Sequence, residues 1–126
     1  MATILIIDDD QHVRDGLQAV LVSEGHIVMQ ADSARAGQAH LEQYDGQTDL
    51  ILLDVWLGEE NGLTLLGEIR TDGFEGPVIV MSGGGPGRTL EQAMAIADVR
   101  GANQVLIKPF TNDEILDAVQ SVLKTD

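Results

Sequence analysis

Polar side chains that could handle a phosphoryl group or a metal ion follow four short apolar stretches of this sequence. The stretches and the residues that follow them are 3–7 with Asp8 and Asp9, 50–53 with Asp54, 77–81 with Ser82, and 104–107 with Lys108. In open α/β sheets, ligands bind at the carboxyl ends of parallel strands. If the four stretches are parallel strands, all five side chains meet at one edge of a sheet.

The residue types at this edge suit phosphoryl transfer assisted by a divalent cation. Three carboxylates held together repel one another, so without a cation at least one of them should have a raised pKa. Hard oxygen ligands that leave room for water and phosphate favour Mg²⁺. A lysine supplies a positive charge for one phosphate oxygen, and a serine hydroxyl can donate a hydrogen bond to another.

Each of these residues also has a plain structural interpretation. The aspartates at 8–10 could cap the N-terminus of a helix, where negative charge is favourable. Asp54 could turn the chain at the end of its strand, Ser82 could belong to a turn, and Lys108 could be a surface charge. Any one of these interpretations is reasonable alone, but the placement of all the residues after strands favours a site.

Hydrophobic periodicity predicts the elements that position these residues. Strands are predicted over residues 3–7, 26–31, 50–54, 77–81 and 104–107. A helix is predicted after each strand, with boundary residues at Gly25, Ser33, Asp45, Asp72, Thr89, Gly101 and Thr111. This alternation predicts the α/β class, with a parallel sheet covered by helices on both faces. We expect one domain over residues 1–126 and no output domain in this chain.

The composition narrows the choice of partner and compartment. The formal net charge of −14 disfavours nucleic acid or an anionic membrane as a direct partner. The chain has no cysteine, which excludes thiol catalysis and a disulfide scaffold. No apolar run approaches the ~20 residues that cross a bilayer, and no signal peptide is evident at the N-terminus. These features predict a cytoplasmic protein.

With these residues in view, the whole chain resembles the receiver domain of two-component response regulators. The matching motifs are ILIIDD at 4–9, LLD at 52–54, Asn61-Gly62, Ser82 and KPF at 108–110. The resemblance implies the flavodoxin-like receiver fold, whose five parallel strands have the order 2-1-3-4-5. It also implies a single-domain signalling switch, with only self-catalysed phosphorylation and dephosphorylation as enzymatic activity.

The resemblance implies a role for each residue at this edge. Asp54 would accept the phosphoryl group from a histidine kinase or a His-phosphotransfer protein. Asp9, Asp54 and the backbone carbonyl of Trp56 would bind Mg²⁺ directly, and Asp8 would bind it through a water molecule. Lys108 would pair with a phosphoryl oxygen.

The resemblance further implies how phosphorylation would become a signal to a downstream protein target. The Ser82 hydroxyl would close on a phosphoryl oxygen, and this movement would change the protein surface. The Lys108–Pro109 peptide bond is expected to be cis, as it is in this family.

Some positions depart from the family pattern. Val105 stands where receivers usually carry the aromatic side chain that swings inward on activation, and Trp56 is unusually large for its position. The segment between Ser82 and Lys108 is longer than usual and begins with the glycine-rich stretch 83–87. We expect that stretch and the helix after it, instead of an aromatic switch at Val105, to carry the signal.

The main alternative is a haloacid-dehalogenase-type phosphatase. In that case Asp8 would be the nucleophile, Asp10 the acid, and Ser82 and Lys108 the phosphate contacts. This alternative leaves Asp54 without a role and requires a further acidic pair downstream of Lys108. A receiver fold that only binds other proteins is also disfavoured, because all five site positions carry the residues that the family pattern requires.

Overall fold

A computed structural model describes residues 1–57, 60–83 and 101–123 of the chain. The strands in these ranges are β1 (Thr3–Ile7), β2 (Ile27–Ala31), β3 (Leu50–Asp54), β4 (Trp56–Leu57), β5 (Glu60–Asn61), β6 (Val78–Ser82) and β7 (Gln104–Ile107). The helices are α1 (Gln11–Ser23), α2 (Ala34–Gln43), α3 (Gly62–Thr71) and α4 (Asn112–Leu123).

Five of these strands form one parallel sheet in the order β2-β1-β3-β6-β7. Counted along the chain without the short β4 and β5, this is the order 2-1-3-4-5, so the predicted fold class is confirmed. β3 lies at the centre, with Ile51 paired to Leu5 on one side and Val78 on the other. The continuous apolar run of β3 follows from this position, because a central parallel strand is covered on both faces.

The alternation of side chains along the strands divides the core into two layers. Leu5 and Ile7 of β1 lie in the layer under α2 and α3, whereas Ile4 and Ile6 lie in the layer under α1 and α4. The helices contribute to these layers, among others, Leu66 and Ile69 in the first and Leu17, Leu21, Ile115 and Val119 in the second. Helices therefore cover both faces of the sheet, as predicted.

Short polar side chains fix the start of several helices, as their positions in the sequence predict. The Ser33 side chain accepts a hydrogen bond from the Ala36 backbone at 3.1 Å. Thr111 and Glu114 exchange bonds of 3.0 and 3.1 Å in a capping box at the start of α4. Asp10 caps α1, so the structural interpretation of the aspartate run applies to its third member.

Two short strands, β4 and β5, lie where the sequence predicts a turn after β3. β4 pairs with β5 in an antiparallel ribbon, with Trp56 opposite Asn61. Asn61 then caps α3 by accepting a bond of 2.8 Å from the Leu63 backbone. The Lys108–Pro109 bond is cis, as the resemblance implies.

The predicted helix from about Thr89 and most of the glycine-rich stretch 83–87 lie outside the described residues. Among the described helices, none combines the length and the apolar character needed to cross a membrane.

A first prediction concerns Gly62, which packs against the backbone at the end of β3. A Cβ atom there would overlap the Asp54 carbonyl oxygen and lie 3.1 Å from the Val55 Cα. Because both atoms belong to the backbone, Gly62→Ala should lower the free energy of unfolding by about 2 kcal/mol or more. Urea denaturation measures this change.

The matched control is Gly16→Ala in α1, where an added Cβ meets no atom within 4 Å. This substitution should raise the free energy of unfolding by about 0.5–1 kcal/mol, because alanine favours the helix. If Gly62→Ala is as stable as the wild type, the close approach of α3 to the end of β3 is contradicted.

Candidate functional site

The carboxyl ends of β1, β3, β6 and β7 lie side by side in the sheet. The register pairs Ile7 with Leu53, Asp54 with Met81, and Ser82 with Ile107. The residues that end or follow these strands therefore reach the same edge. These residues are Asp8, Asp9, Asp54, Ser82 and Lys108, the five that the sequence singles out.

Asp8, Asp9 and Asp54 form a carboxylate cluster at this edge. One oxygen from each lies within 4.8 Å of the others. Asp8 and Asp54 are buried, with 0% and 4% of their surface exposed, whereas Asp9 is exposed. Three carboxylate oxygens this close together, one of them on an exposed residue, fit Mg²⁺, which keeps several water ligands in proteins.

Lys108 places its ammonium group against two members of this cluster. Its Nζ lies 2.9 Å from Asp8 Oδ2 and 3.5 Å from Asp54 Oδ1. Burial alone lowers the pKa of Lys108, but the hydrogen bonds and negative charges of Asp8 and Asp54 outweigh it, and the net shift is upward. The ammonium is therefore charged at neutral pH and bridges the two carboxylates.

Asp54 has a pKa raised to about 6. Burial is the largest cause, followed by the negative charge of Asp8. Lys108 and the Trp56 backbone N–H, which lies 3.4 Å from Asp54 Oδ1, lower the pKa, and Asp9 raises it slightly. The sequence predicts a raised pKa from repulsion among the carboxylates; the larger cause here is the loss of water around Asp54. The side chain is still mainly ionised at pH 7.

Ser82 and Val105, the two positions that the family pattern associates with switching, lie on neighbouring strands. Ser82 is buried at the end of β6, and its backbone carbonyl accepts a bond of 2.8 Å from the Lys108 backbone. Val105 lies on β7 opposite Val80 and packs against the core layer under α2 and α3. The backbones of Ser82 and Lys108 are thus hydrogen-bonded across two adjacent strands.

Arg14 of α1 is a contact of the site that the sequence analysis missed. Its Nη1 donates to the Asp8 backbone carbonyl at 2.7 Å, and its Nε donates to Gln30 of β2 at 2.9 Å. Asp8 Oδ1 also accepts a bond of 2.9 Å from the Asp10 backbone. Asp8 is therefore held through its backbone as well as through its carboxylate. An arginine one helical turn after the aspartate run was the only signal available in the sequence.

A family comparison matches residues 4–120 of this chain to the model of the response regulator receiver domain. The chain is 37% identical over 125 residues to the DNA-binding transcriptional regulator NtrC of Azospirillum brasilense, covering 99% of this chain and 25% of that protein. It is 31% identical over 121 residues to the chemotaxis protein CheY of Bacillus subtilis, covering 95% of this chain and 96% of that one.

Solved structures agree with these matches. The receiver domain of NtrX from Brucella abortus superposes with a TM-score of 0.85 at 34% identity, over 98% of this chain and 99% of that one. A CheY-like receiver domain protein from Methanospirillum hungatei gives a TM-score of 0.86 at 27% identity, over 98% and 94% of the two chains. The chain spans at most about half the length of the transcriptional regulators it matches. The haloacid-dehalogenase alternative is not favoured by these findings.

A second prediction follows from the raised pKa of Asp54. Because the pKa in the folded protein, about 6, exceeds the ordinary value of 3.8, ionised Asp54 destabilises the fold, and this loss appears as pH rises from about 4 to 6. Without divalent cations, Asp54→Asn should raise the free energy of unfolding by about 1–2 kcal/mol at pH 7 and leave it nearly unchanged at pH 4.

Urea denaturation in EDTA at both pH values measures this difference. Asp117→Asn, which removes an exposed carboxylate from α4, controls for the loss of one negative charge. A gain for Asp54→Asn that is the same at pH 4 and pH 7 would show that its origin is not the charge of Asp54.

Proposed function

The chain belongs to the family of response regulator receiver domains, and on that premise we propose that it accepts a phosphoryl group on Asp54 and signals through contacts with other proteins. The observation that supports this role most directly is the placement of Asp54. Its carboxylate is buried at the end of the central strand, within 4.8 Å of two further carboxylates and 3.5 Å from the Lys108 ammonium.

The proposed reaction begins with a carboxylate oxygen of Asp54 as the nucleophile. This oxygen attacks the phosphorus of a phosphohistidine on the partner, an O–P bond forms, and the P–N bond breaks. The departing imidazole takes a proton from solvent, and Asp54 becomes an acyl phosphate. The pKa of about 6 leaves the carboxylate mainly ionised at pH 7 and keeps it more basic than an ordinary aspartate.

Lys108 would supply the positive charge that pairs with the phosphoryl group once this group is attached to Asp54. In the structure, its ammonium is shared between Asp8 and Asp54. When Asp54 becomes an acyl phosphate, its own negative charge is replaced by charge on the phosphoryl oxygens, so the ammonium would pair with one of them. The short contact with Asp8 would hold the lysine in place during this change.

Mg²⁺ would bind beside the same carboxylates. Asp9, Asp54 and the Trp56 backbone carbonyl are the proposed direct ligands, and Asp8 is proposed to act through a water molecule. A bound Mg²⁺ would supply neutralisation of the negative charge on the phosphoryl oxygens. The exposure of Asp9 leaves this side of the cluster open to water and to the incoming phosphate.

Ser82 is proposed to carry the first step of signalling. Its hydroxyl would bond to a phosphoryl oxygen, and its backbone contact with Lys108 joins β6 to β7 at this point. Val105 has no aromatic ring to move, so we propose that the stretch 83–87 and the helix expected after it carry the change. Residues 84–87 and the expected helix lie outside the described residues.

The proposed partners are proteins. A histidine kinase or a His-phosphotransfer protein would supply the phosphoryl group, and a downstream protein would recognise the phosphorylated form. We propose no direct contact between this chain and nucleic acid or membrane, since its net charge is −14. A cytoplasmic location stays a prediction from the sequence and the family.

A third prediction tests the phosphoryl acceptor. After incubation with Mg²⁺ and a small acyl phosphate donor, the wild type should gain the mass of one phosphoryl group, and Asp54→Asn should gain none. Intact-mass spectrometry measures both. Asp45→Asn, at an exposed position after α2, should be phosphorylated like the wild type. A gain that survives Asp54→Asn and disappears in Asp8→Asn would overturn the proposal in favour of the phosphatase alternative.

A fourth prediction tests the metal site through thermal stability, a measurement that does not depend on phosphorylation. Mg²⁺ at about 100 times its dissociation constant should raise the melting temperature of the wild type by about 5–10 °C, since it binds only the folded protein. Asp9→Asn should lose most of this increase, while Asp113→Asn in α4 should retain it. An equal increase in NaCl of matched ionic strength would show general screening of charge instead of a metal site.

A further inference from the structure

The peptide unit that joins Asp8 to Asp9 is held by a side chain from α1. Arg14 Nη1 donates a hydrogen bond of 2.7 Å to the Asp8 carbonyl oxygen, which belongs to this peptide unit. Because a peptide unit is planar and rigid, a bond to its oxygen restrains the orientation of the whole plane. That orientation determines the direction in which the chain leaves Asp8, and therefore where Asp9 lies.

Asp9 depends on this peptide unit more than Asp8 does. The Asp8 carboxylate accepts hydrogen bonds of 2.9 Å from Lys108 Nζ and from the Asp10 backbone N–H. Asp9 is exposed, and within the described ranges its carboxylate accepts no hydrogen bond and forms no ion pair. The place of Asp9 in the carboxylate cluster is therefore set by the backbone.

Arg14 is itself oriented by Gln30 of β2. The Arg14 Nε atom donates to the side-chain oxygen of Gln30 at 2.9 Å. A planar guanidinium that is bonded through both Nε and Nη1 has little freedom to rotate. Gln30 therefore favours the orientation in which Nη1 reaches the Asp8 carbonyl.

The side-chain amide of Gln30 is bonded on both sides. Its Nε2 donates to Asp15 Oδ1 at 3.2 Å and to the side-chain oxygen of Gln18, and both acceptors belong to α1. With the nitrogen directed at these two oxygens, the amide oxygen is left for Arg14. These contacts join β2, an edge strand of the sheet, to α1.

Gln30 occupies a position in β2 that packing alone would give to an apolar residue. It pairs with Ile6 in the sheet register, and Val28, two residues earlier on the same face, packs against the core layer under α1 and α4. Gln30 is partly buried there, and a buried amide lowers stability unless it is hydrogen-bonded. A glutamine at this position indicates a requirement other than core packing.

β2 also holds the other backbone polar group of Asp8. The Asp8 backbone N–H donates to the Ala31 carbonyl at 3.1 Å, one residue beyond the pairing of Ile7 with Ala31. Both backbone groups of Asp8 are thus held by neighbouring residues of β2, one directly and one through Arg14. β2 itself contributes no side chain to the carboxylate cluster.

We propose that Arg14, oriented by Gln30, is a positioning residue of the Mg²⁺ site, and that it acts by fixing the Asp8–Asp9 peptide so that both carboxylates converge on one ion. The inference rests on the proposed function, which assigns Mg²⁺ to this cluster. It goes further because it assigns part of the metal affinity to an edge strand that supplies no ligand.

The first measurement is the dissociation constant of Mg²⁺, obtained from amide proton–nitrogen correlation spectra of ¹⁵N-labelled protein titrated at constant ionic strength. Arg14→Met should weaken binding by about tenfold. Gln30→Leu retains the charge of Arg14 and removes only the group that orients it, so binding should weaken by about threefold or more. Arg35→Met, which removes an exposed arginine from α2, should stay within about twofold of the wild type.

Two further variants separate the geometry of the guanidinium from its charge. Arg14→Lys retains the positive charge but lacks the planar fork that bonds two acceptors, so it should still bind Mg²⁺ at least about threefold more weakly than the wild type. Adding Gln30→Leu to Arg14→Met should cause no further loss, because the residue through which Gln30 acts is already absent.

The second measurement uses the protein without metal and does not depend on the proposed metal site. The Asp10 backbone N–H donates to the Asp8 carboxylate, so its hydrogen exchange reports whether that side chain is in place. In EDTA, the exchange should be at least about threefold faster in Gln30→Leu than in the wild type. It is measured relative to the amide of Leu52 in the central strand, which reports opening of the whole sheet.

Several results would overturn the proposal. Wild-type Mg²⁺ affinity and unchanged Asp10 exchange in Gln30→Leu would show that Gln30 does not act on the site. An Arg14→Lys variant that binds Mg²⁺ as tightly as the wild type would assign the effect to charge alone. Additive losses from Arg14→Met and Gln30→Leu would show that the two residues act separately.

The wild-type titration separates this inference from the proposed function. If the wild type shows no saturable response to Mg²⁺, the proposed metal site is contradicted. The exchange of the Asp10 amide then decides alone whether Gln30 and Arg14 hold Asp8 in place.

Discussion

The contact on which the site depends is the bridge from the Lys108 ammonium to the buried carboxylates of Asp8 and Asp54. Two anions out of reach of water would destabilise each other, and the ammonium at 2.9 and 3.5 Å compensates for part of that repulsion. The compensation is incomplete, since the pKa of Asp54 stays near 6. The fold thus pairs the Asp8 carboxylate closely with Lys108, whereas the negative charge of Asp54 is only partly compensated.

The surrounding structure maintains this unequal sharing. Arg14 donates a hydrogen bond to the Asp8 backbone carbonyl, and Lys108 donates one to its carboxylate. These two contacts restrict both the backbone and the side chain of Asp8. Asp54 is held mainly by its strand, with the backbone of Val55 bonded to Met81 at 2.9 Å. Of the two buried carboxylates, Asp54 is the one with the longer contact to the Lys108 ammonium, 3.5 Å against 2.9 Å. Asp9, on the solvent side, completes the cluster without adding another buried charge.

Much of this arrangement could be predicted from the sequence because its signals are local and periodic. The apolar run before Asp54 has the length of a strand and is followed by a helical pattern, and Thr111 with Glu114 specifies a helix start unaided. Parallel strands then bring their carboxyl ends together, so the site follows from the fold. The exact strand order came from the resemblance, since periodicity does not determine which strands are neighbours.

What the sequence could not supply depends on distance and burial. The contact of Arg14 with Asp8 requires the angle between α1 and the sheet, and no spacing rule encodes that angle. The short ribbon at Trp56 and Asn61 was expected to be only a turn, because two-residue strands have no periodicity. The dominance of burial over repulsion at Asp54 likewise depends on the fraction of its surface left to water, which is a property of the packed structure.

The position of Trp56 has a practical consequence. It is the only tryptophan in the chain, its ring is half-buried against the core, and its backbone N–H points to Asp54. Indole emission responds to nearby charge and to exposure to solvent. The chain therefore carries an intrinsic fluorescent reporter two residues from its central carboxylate, and events at that carboxylate can be followed in real time without a label.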